Sequence, residues 1–255
     1  MHRFVVIWLA LLAAAPAYAA EQLSHYVDYQ VELKNLPAGA SGDGLWQMGT
    51  IGTCKAWKVT QLANLNVKAG DRASTIVLTQ QADETADGLK GDYVTQIAAN
   101  GQQIAIKASV SLPSGGGAGK MDTSVGPNSI AHSIPGGTLL LAKASQAMLD
   151  KLAAGEKDFT LKVVEPTAPE GVADLRVQVL SQSPFSDTKL PVDNDGALAG
   201  KSWVVRFTKA QPNGAQDATM LIYESGVIAR IMMEMSGIHF EMTARNIKIF
   251  PKPAC

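Results

Sequence analysis

From Ser24 to Leu33 the chain alternates strictly: Val27, Tyr29, Val31 and Leu33 are apolar, and Asp28, Gln30 and Glu32 between them are polar. A period of two puts alternate side chains on opposite faces, which marks a half-buried β-strand. The pattern returns at Leu45–Met48, Trp57–Thr60, Ser74–Thr79, Tyr93–Ile97, Ile104–Ala108, Phe159–Val163 and Val172–Leu180. It resumes at Ser202–Phe207, where Trp203, Val205 and Phe207 share a face, and at Met220–Glu224, Val227–Ile231, Ile238–Thr243 and Asn246–Phe250. Turns are expected at Leu36–Gly44, Asn100-Gly101, Ser225-Gly226 and Ser236-Gly237, and Asn-Gly between alternating runs is a strong hairpin signal. One stretch departs from period two. Leu141–Ala154 holds Ala142, Ala144, Ala147, Met148, Leu149 and Leu152, with Gly155 placed to end a helix. Ten or more strands with one helix specify a mainly β fold, a barrel or a strongly curved sheet. Ser111–Asn128, with Pro113, Gly115-Gly116-Gly117 and Gly119, reads as a long flexible connection within one domain.

The N-terminus reads as an export signal. His2 and Arg3 precede the uncharged apolar run Phe4–Ala15, Pro16 interrupts it, and Ala17-Tyr18-Ala19 is an A-x-A cleavage site. The run is shorter than the roughly 20 residues that span a bilayer. Cleavage between Ala19 and Ala20 divides the chain into a signal peptide, residues 1–19, and a single domain, residues 20–255. Export gives meaning to the two cysteines, Cys54 and Cys255. In an oxidising compartment a lone pair is most simply one disulfide, the alternative being a reactive thiol at Cys255. No Cys-x-x-Cys accompanies either residue. A bond between them would close a loop of about 200 residues, for which the loop-entropy relation gives roughly 5 kcal/mol.

Removing the signal takes Arg3 from 22 basic residues and nothing from the 23 acidic ones. A slightly acidic domain without a basic patch or run is no footprint for nucleic acid or an anionic membrane surface. The remaining histidines, His25, His132 and His239, are far apart in sequence, with no H-E-x-x-H and no G-x-S-x-G elbow. His132-Ser133, beside the Gly-rich stretch, is the place where a spatially assembled hydrolase site would be sought. Ser114–Met121 has neither the first glycine nor the final Ser/Thr of a phosphate loop, so it reads as a linker. Met220, Met232, Met233, Met235 and Met242 form a Met-rich patch suited to core packing or to an adaptable apolar surface. The expectation is therefore a non-enzymatic protein with no catalytic residues, no metal site and no cofactor.

Several segments, taken in order, resemble the EipB-like family of periplasmic cell-envelope integrity proteins of alphaproteobacteria. They are the early strand Tyr29–Leu33, the Cys54-Lys55-Ala56-Trp57 segment, the Pro135–Ala154 entry to a single helix, the strand at Trp203, the Tyr223–Val227 turn and the Pro253-Ala254-Cys255 end. The Ile134–Leu140 segment fits the family loosely, and the strand after Trp203 lacks its usual aromatic pair. The resemblance implies one curved, spiral antiparallel β-sheet with a short helix, similar in shape to lipoprotein carriers of the LolA and LolB type. It also implies a Cys54–Cys255 disulfide and a periplasmic role in envelope integrity, with periplasmic TPR-containing proteins as functional partners. The resemblance supplies no catalytic residues, and a ligand-binding residue set is not implied by it. The expectation is a curved sheet that binds a lipid, a lipoprotein acyl chain or another protein, and the alternative is a protein-interaction module that docks a partner through an exposed sheet edge or the Pro113–Asn128 loop.

Overall fold

A computed structural model describes residues 20–36, 38–185, 190, 196–211, 214–235 and 238–255. The N-terminal segment read as an export signal, through Ala19, the Ser236-Gly237 pair expected to turn, and residues 186–189 and 191–195 lie outside the described residues. The strands are β1 (His25–Lys34), β2 (Ala40–Gly52), β3 (Ala56–Ala69), β4 (Arg72–Thr85), β5 (Lys90–Ala99), β6 (Gln102–Ser111), β7 (Gly119–Val125) and β8 (Asn128–Ile134). Helix α1 (Leu141–Ala153) follows, then β9 (Asp158–Val164), β10 (Val172–Val179), β11 (Ser202–Gln211), β12 (Gly214–Tyr223), β13 (Ile228–Met235) and β14 (Ile238–Ile249). All join one antiparallel sheet of 14 strands, ordered β8-β7-β6-β5-β4-β3-β2-β1-β14-β13-β12-β11-β10-β9. β1 and β14 are neighbours at its centre, so the two free edges, β8 and β9, come from the middle of the chain.

The sheet does not close edge to edge; it overlaps itself. On β9 the odd residues Phe159, Leu161 and Val163 face inward onto α1, with Val177, Val205, Phe207 and Ile222 from the next strands. Val164 and its cross-strand partner Val172 have the opposite parity. They pack against Tyr93, Ala108, Val110, Met121 and Ile134, which belong to the inner face of β5–β8. The outer face at the tip of the β9–β10 hairpin therefore lies under the inner face of the opposite end of the sheet, which makes the architecture a spiral. Gly171 (φ +73°) in that hairpin sits against Met121, His132 and Ile134.

Helix α1 plugs one end of the spiral, burying Ala144, Met148, Leu149 and Leu152. Its C-terminus has the geometry that Gly155 allows at φ +85°. Gly155 N–H donates to Leu152 O at 3.0 Å and Glu156 N–H to Lys151 O at 3.0 Å, the Schellman pattern.

Two stretches fold differently from their sequence expectation. The glycine-rich Ala40–Gly44 is the start of β2 instead of a turn, paired with β3, and Gly42 and Gly44 stand at inward positions that leave no room for a side chain. A Cβ on Gly44 would approach Leu65 Cδ2 to 2.8 Å. The supposed linker through Asn128 contains strand β7 and leads directly into β8, so the irregular connection shrinks to the turn between Ser111 and Gly119. Met121, Thr123 and Val125 supply the alternation, masked in sequence by the small and polar residues around them.

Candidate functional site

The register shows which residues share the concave face. Trp46, Ala63, Leu78, Ile97 and Ile104 are successive cross-strand partners on β2 to β6, forming one apolar row across five strands. At about 4.8 Å between strands the row runs about 19 Å. A neighbouring row runs Gln61, Gln80, Thr95, Ile106 and Val125, and a third runs Val59, Ala82, Tyr93, Ala108, Thr123 and Ile130.

An inward face should be dry, and most of this one is. Beyond the tip of the β9–β10 hairpin it is not: Ile97 is 37% exposed, Ile104 53%, Val125 43% and Ile130 59%. Among the described residues these four are most of the exposed large hydrophobic residues; the others, Leu45 and Leu62, lie on the convex face of β2 and β3. The uncovered area is continuous with half-buried Leu78 and Ile76, which pack against the central core. Scattered exposed apolar residues are ordinary, but a contiguous patch on a concave face is a binding feature. Two polar atoms accompany it. Thr123 Oγ1 and Trp46 Nε1 are both buried without a hydrogen-bond partner, and both residues point to the concave side.

The helix that closes the far end is positioned by a buried charge. Glu84, 1% exposed on β4, accepts hydrogen bonds from Leu141 N–H at 2.8 Å, Ala142 N–H at 2.9 Å and the Tyr93 hydroxyl at 2.9 Å. Leu140 at the N-cap offers no side-chain bond, so the carboxylate of a distant strand satisfies the orphan N–H groups and the positive end of the helix dipole. Burial pushes the Glu84 carboxyl above its ordinary value, and the three donors pull it partly back. Burial, with the Glu84 charge beside it, holds the Tyr93 hydroxyl firmly protonated.

The disulfide joins Cys54, in the β2–β3 turn, to Cys255, with Cα atoms 5.5 Å apart. It fastens the tail beyond β14 across the end of β1, at the middle of the sheet and away from both free edges. The histidines are not brought together. His25 lies on β1 with Nδ1 2.7 Å from Leu23 O, His239 on β14 with Nε2 3.3 Å from Glu241 Oε1, and His132 on β8 at the edge. Among the described residues no group of three or more His, Cys, Asp or Glu side chains could hold a metal ion. Of the methionines, Met242 is buried and Met220 and Met233 pack against the core clusters. Ala20 is buried beside α1, where Gln146 Nε2 donates to its carbonyl at 2.8 Å.

An open spiral sheet with a helical plug and an uncovered apolar inner face defines a β-barrel-like class of proteins. The sequence profile of the EipB-like family matches residues 16–251, and the chain belongs to that family. Among solved structures it is similar to a β-barrel-like protein of the domain of unknown function DUF1849 from Brucella abortus, with a TM-score of 0.77 at 15% identity. That likeness covers 90% of this chain and 99% of the Brucella chain, and at such identity it speaks for the fold. No curated protein sequence matches the chain. No helix among the described residues is long and apolar enough to cross a membrane.

Proposed function

We propose that this protein is a non-enzymatic periplasmic component of cell-envelope maintenance that binds the acyl chain of a lipid or lipoprotein on the uncovered inner face of its sheet. The observation that carries this reading is the concave apolar row ending in Ile97 and Ile104, open to solvent where the β9–β10 hairpin stops short. A non-polar chain laid there would remove apolar surface from water at about 25 cal/mol per Å2. The family membership, the export signal and the disulfide support the compartment. Native mass spectrometry of protein released from the periplasm without detergent tests the reading: a lipid-mass adduct is expected, and protein that is always free of lipid would contradict it. Retained envelope function in His132→Ala is expected of a non-enzymatic protein, whereas loss of function at unchanged Tm would favour a hydrolase.

A further inference from the structure

The two free edges of the sheet are treated differently. β9 carries Asp158 and Lys162 and is covered by backbone: Leu139 N–H donates to Lys162 O at 2.9 Å, and Val164 N–H to Leu139 O at 3.0 Å. On β8 no backbone bond reaches the outer edge among the described residues. Residues 128–131 are all exposed, Ile130 by 59%. Free edges are ordinarily blunted by charge, proline or bulges. Here thirteen strands each carry at least one Lys, Arg, Asp or Glu, and β8, Asn-Ser-Ile-Ala-His-Ser-Ile, carries none. It also has no proline, and its register with β7 is unbroken.

The turn before β8 settles which groups face outward. Gly126 has φ +57° and Pro127 is held to negative φ by its ring, the order of a type II′ turn. Such a two-residue loop is closed by a hydrogen-bonded pair, here Val125 with Asn128. By alternation Ile130 and His132 then exchange their bonds with β7, while Ser129, Ala131 and Ser133 aim N–H and C=O away from the sheet.

We propose that the outer edge of β8 is a docking site for an extended, uncharged peptide segment, which adds antiparallel or parallel as a further strand. Every second residue of that segment is apolar, because its inward side chains fall about 4.8 Å from Ile130 and extend the apolar inner face. The site is short. The β9–β10 hairpin already lies against His132 and Ile134 at one end of β8, so a peptide fits and a broad protein face does not. A stable dimer would engage about 20–30 residues a side, against the 7 of β8.

The test uses the oxidised protein and an end-blocked, fluorescently labelled seven-residue peptide alternating valine and threonine. Saturable binding is expected, with amide exchange at Ser129, Ala131 and Ser133 slowed at least tenfold. Ala131→Pro removes one outward donor and none of the β7 bonds, and should weaken binding at least tenfold at unchanged Tm. Peptides N-methylated on alternate amides check this without altering the protein: one methylation set should abolish binding and the other should be tolerated. Absence of binding, or equal binding of both methylated sets, would overturn the proposal. So would protection of the three amides that rises with protein concentration when no peptide is present, since the occupant would then be a second copy of the chain.

Discussion

His25 shows how one buried side chain sets a pH dependence. Burial lowers its pKa below the ordinary 6.5, its hydrogen bond to Leu23 O only partly opposing this. Below pH 6.5 the unfolded chain takes up a proton that the folded chain refuses, so stability falls as the pH drops from 6.5 toward the depressed folded value. Glu84 acts in the opposite sense, because its raised folded pKa favours the native state as pH falls toward 4.5. Comparison with His25→Asn, which retains a donor near the position of Nδ1, isolates the histidine. The Tm of the natural protein relative to that variant should fall progressively below pH 6.5, and curves that stay parallel would contradict the assignment. Neither residue stands out in sequence as a special position. The parity of β4 does announce Glu84, since Ile76, Leu78 and Ala82 share its face, but nothing local says that a helix 57 residues away will meet it.

At the scale of elements, α1 depends on a cap that its own sequence does not supply. Glu84→Gln leaves one acceptor for three donors and turns an amide NH2 toward a backbone N–H. It should cost about 2–3 kcal/mol in urea unfolding, the range for lost bonds to a buried charged group. Tyr93→Phe, losing one donor of the three, should cost about 1 kcal/mol. Equal stability of all three proteins would mean that packing alone holds the helix. The helix itself was legible from Leu141 to Gly155, through its composition and its stop signal. The β7–β8 hairpin was not, because glycine and serine hid a seven-residue alternation, and with it went Val125 and Ile130, half of the exposed inner patch. The disulfide belongs to this scale too. β14 is already bonded on both sides, to β1 and β13, so its loss frays the tail after Ile249 and relaxes the unfolded chain without opening the spiral. Cys54→Ser and the double variant with Cys255→Ser should lose the same stability, at most about 5 kcal/mol, and keep the same acyl-probe affinity. Unequal losses would point to a separate role for the remaining thiol.

For the whole molecule, the chain's alternation fixes that β-sheet forms and which side of each strand is apolar, but it cannot say where the sheet ends against itself. That depends on how far the β9–β10 hairpin reaches beneath β5–β8, a distance set by packing of Val164 and Val172 between elements remote in sequence. The uncovered inner face is the consequence, and the proposed function rests on it. The most direct measurement is titration of a fluorescent acyl-chain probe into the protein and two variants, Ile104→Asp on the concave face and Leu45→Asp on the convex one. The two positions are similarly exposed, 53% and 57%, so general loss of surface hydrophobicity affects both alike. Binding that Ile104→Asp weakens at least tenfold and Leu45→Asp leaves unchanged is the predicted result; no binding, or equal weakening by both, would contradict it.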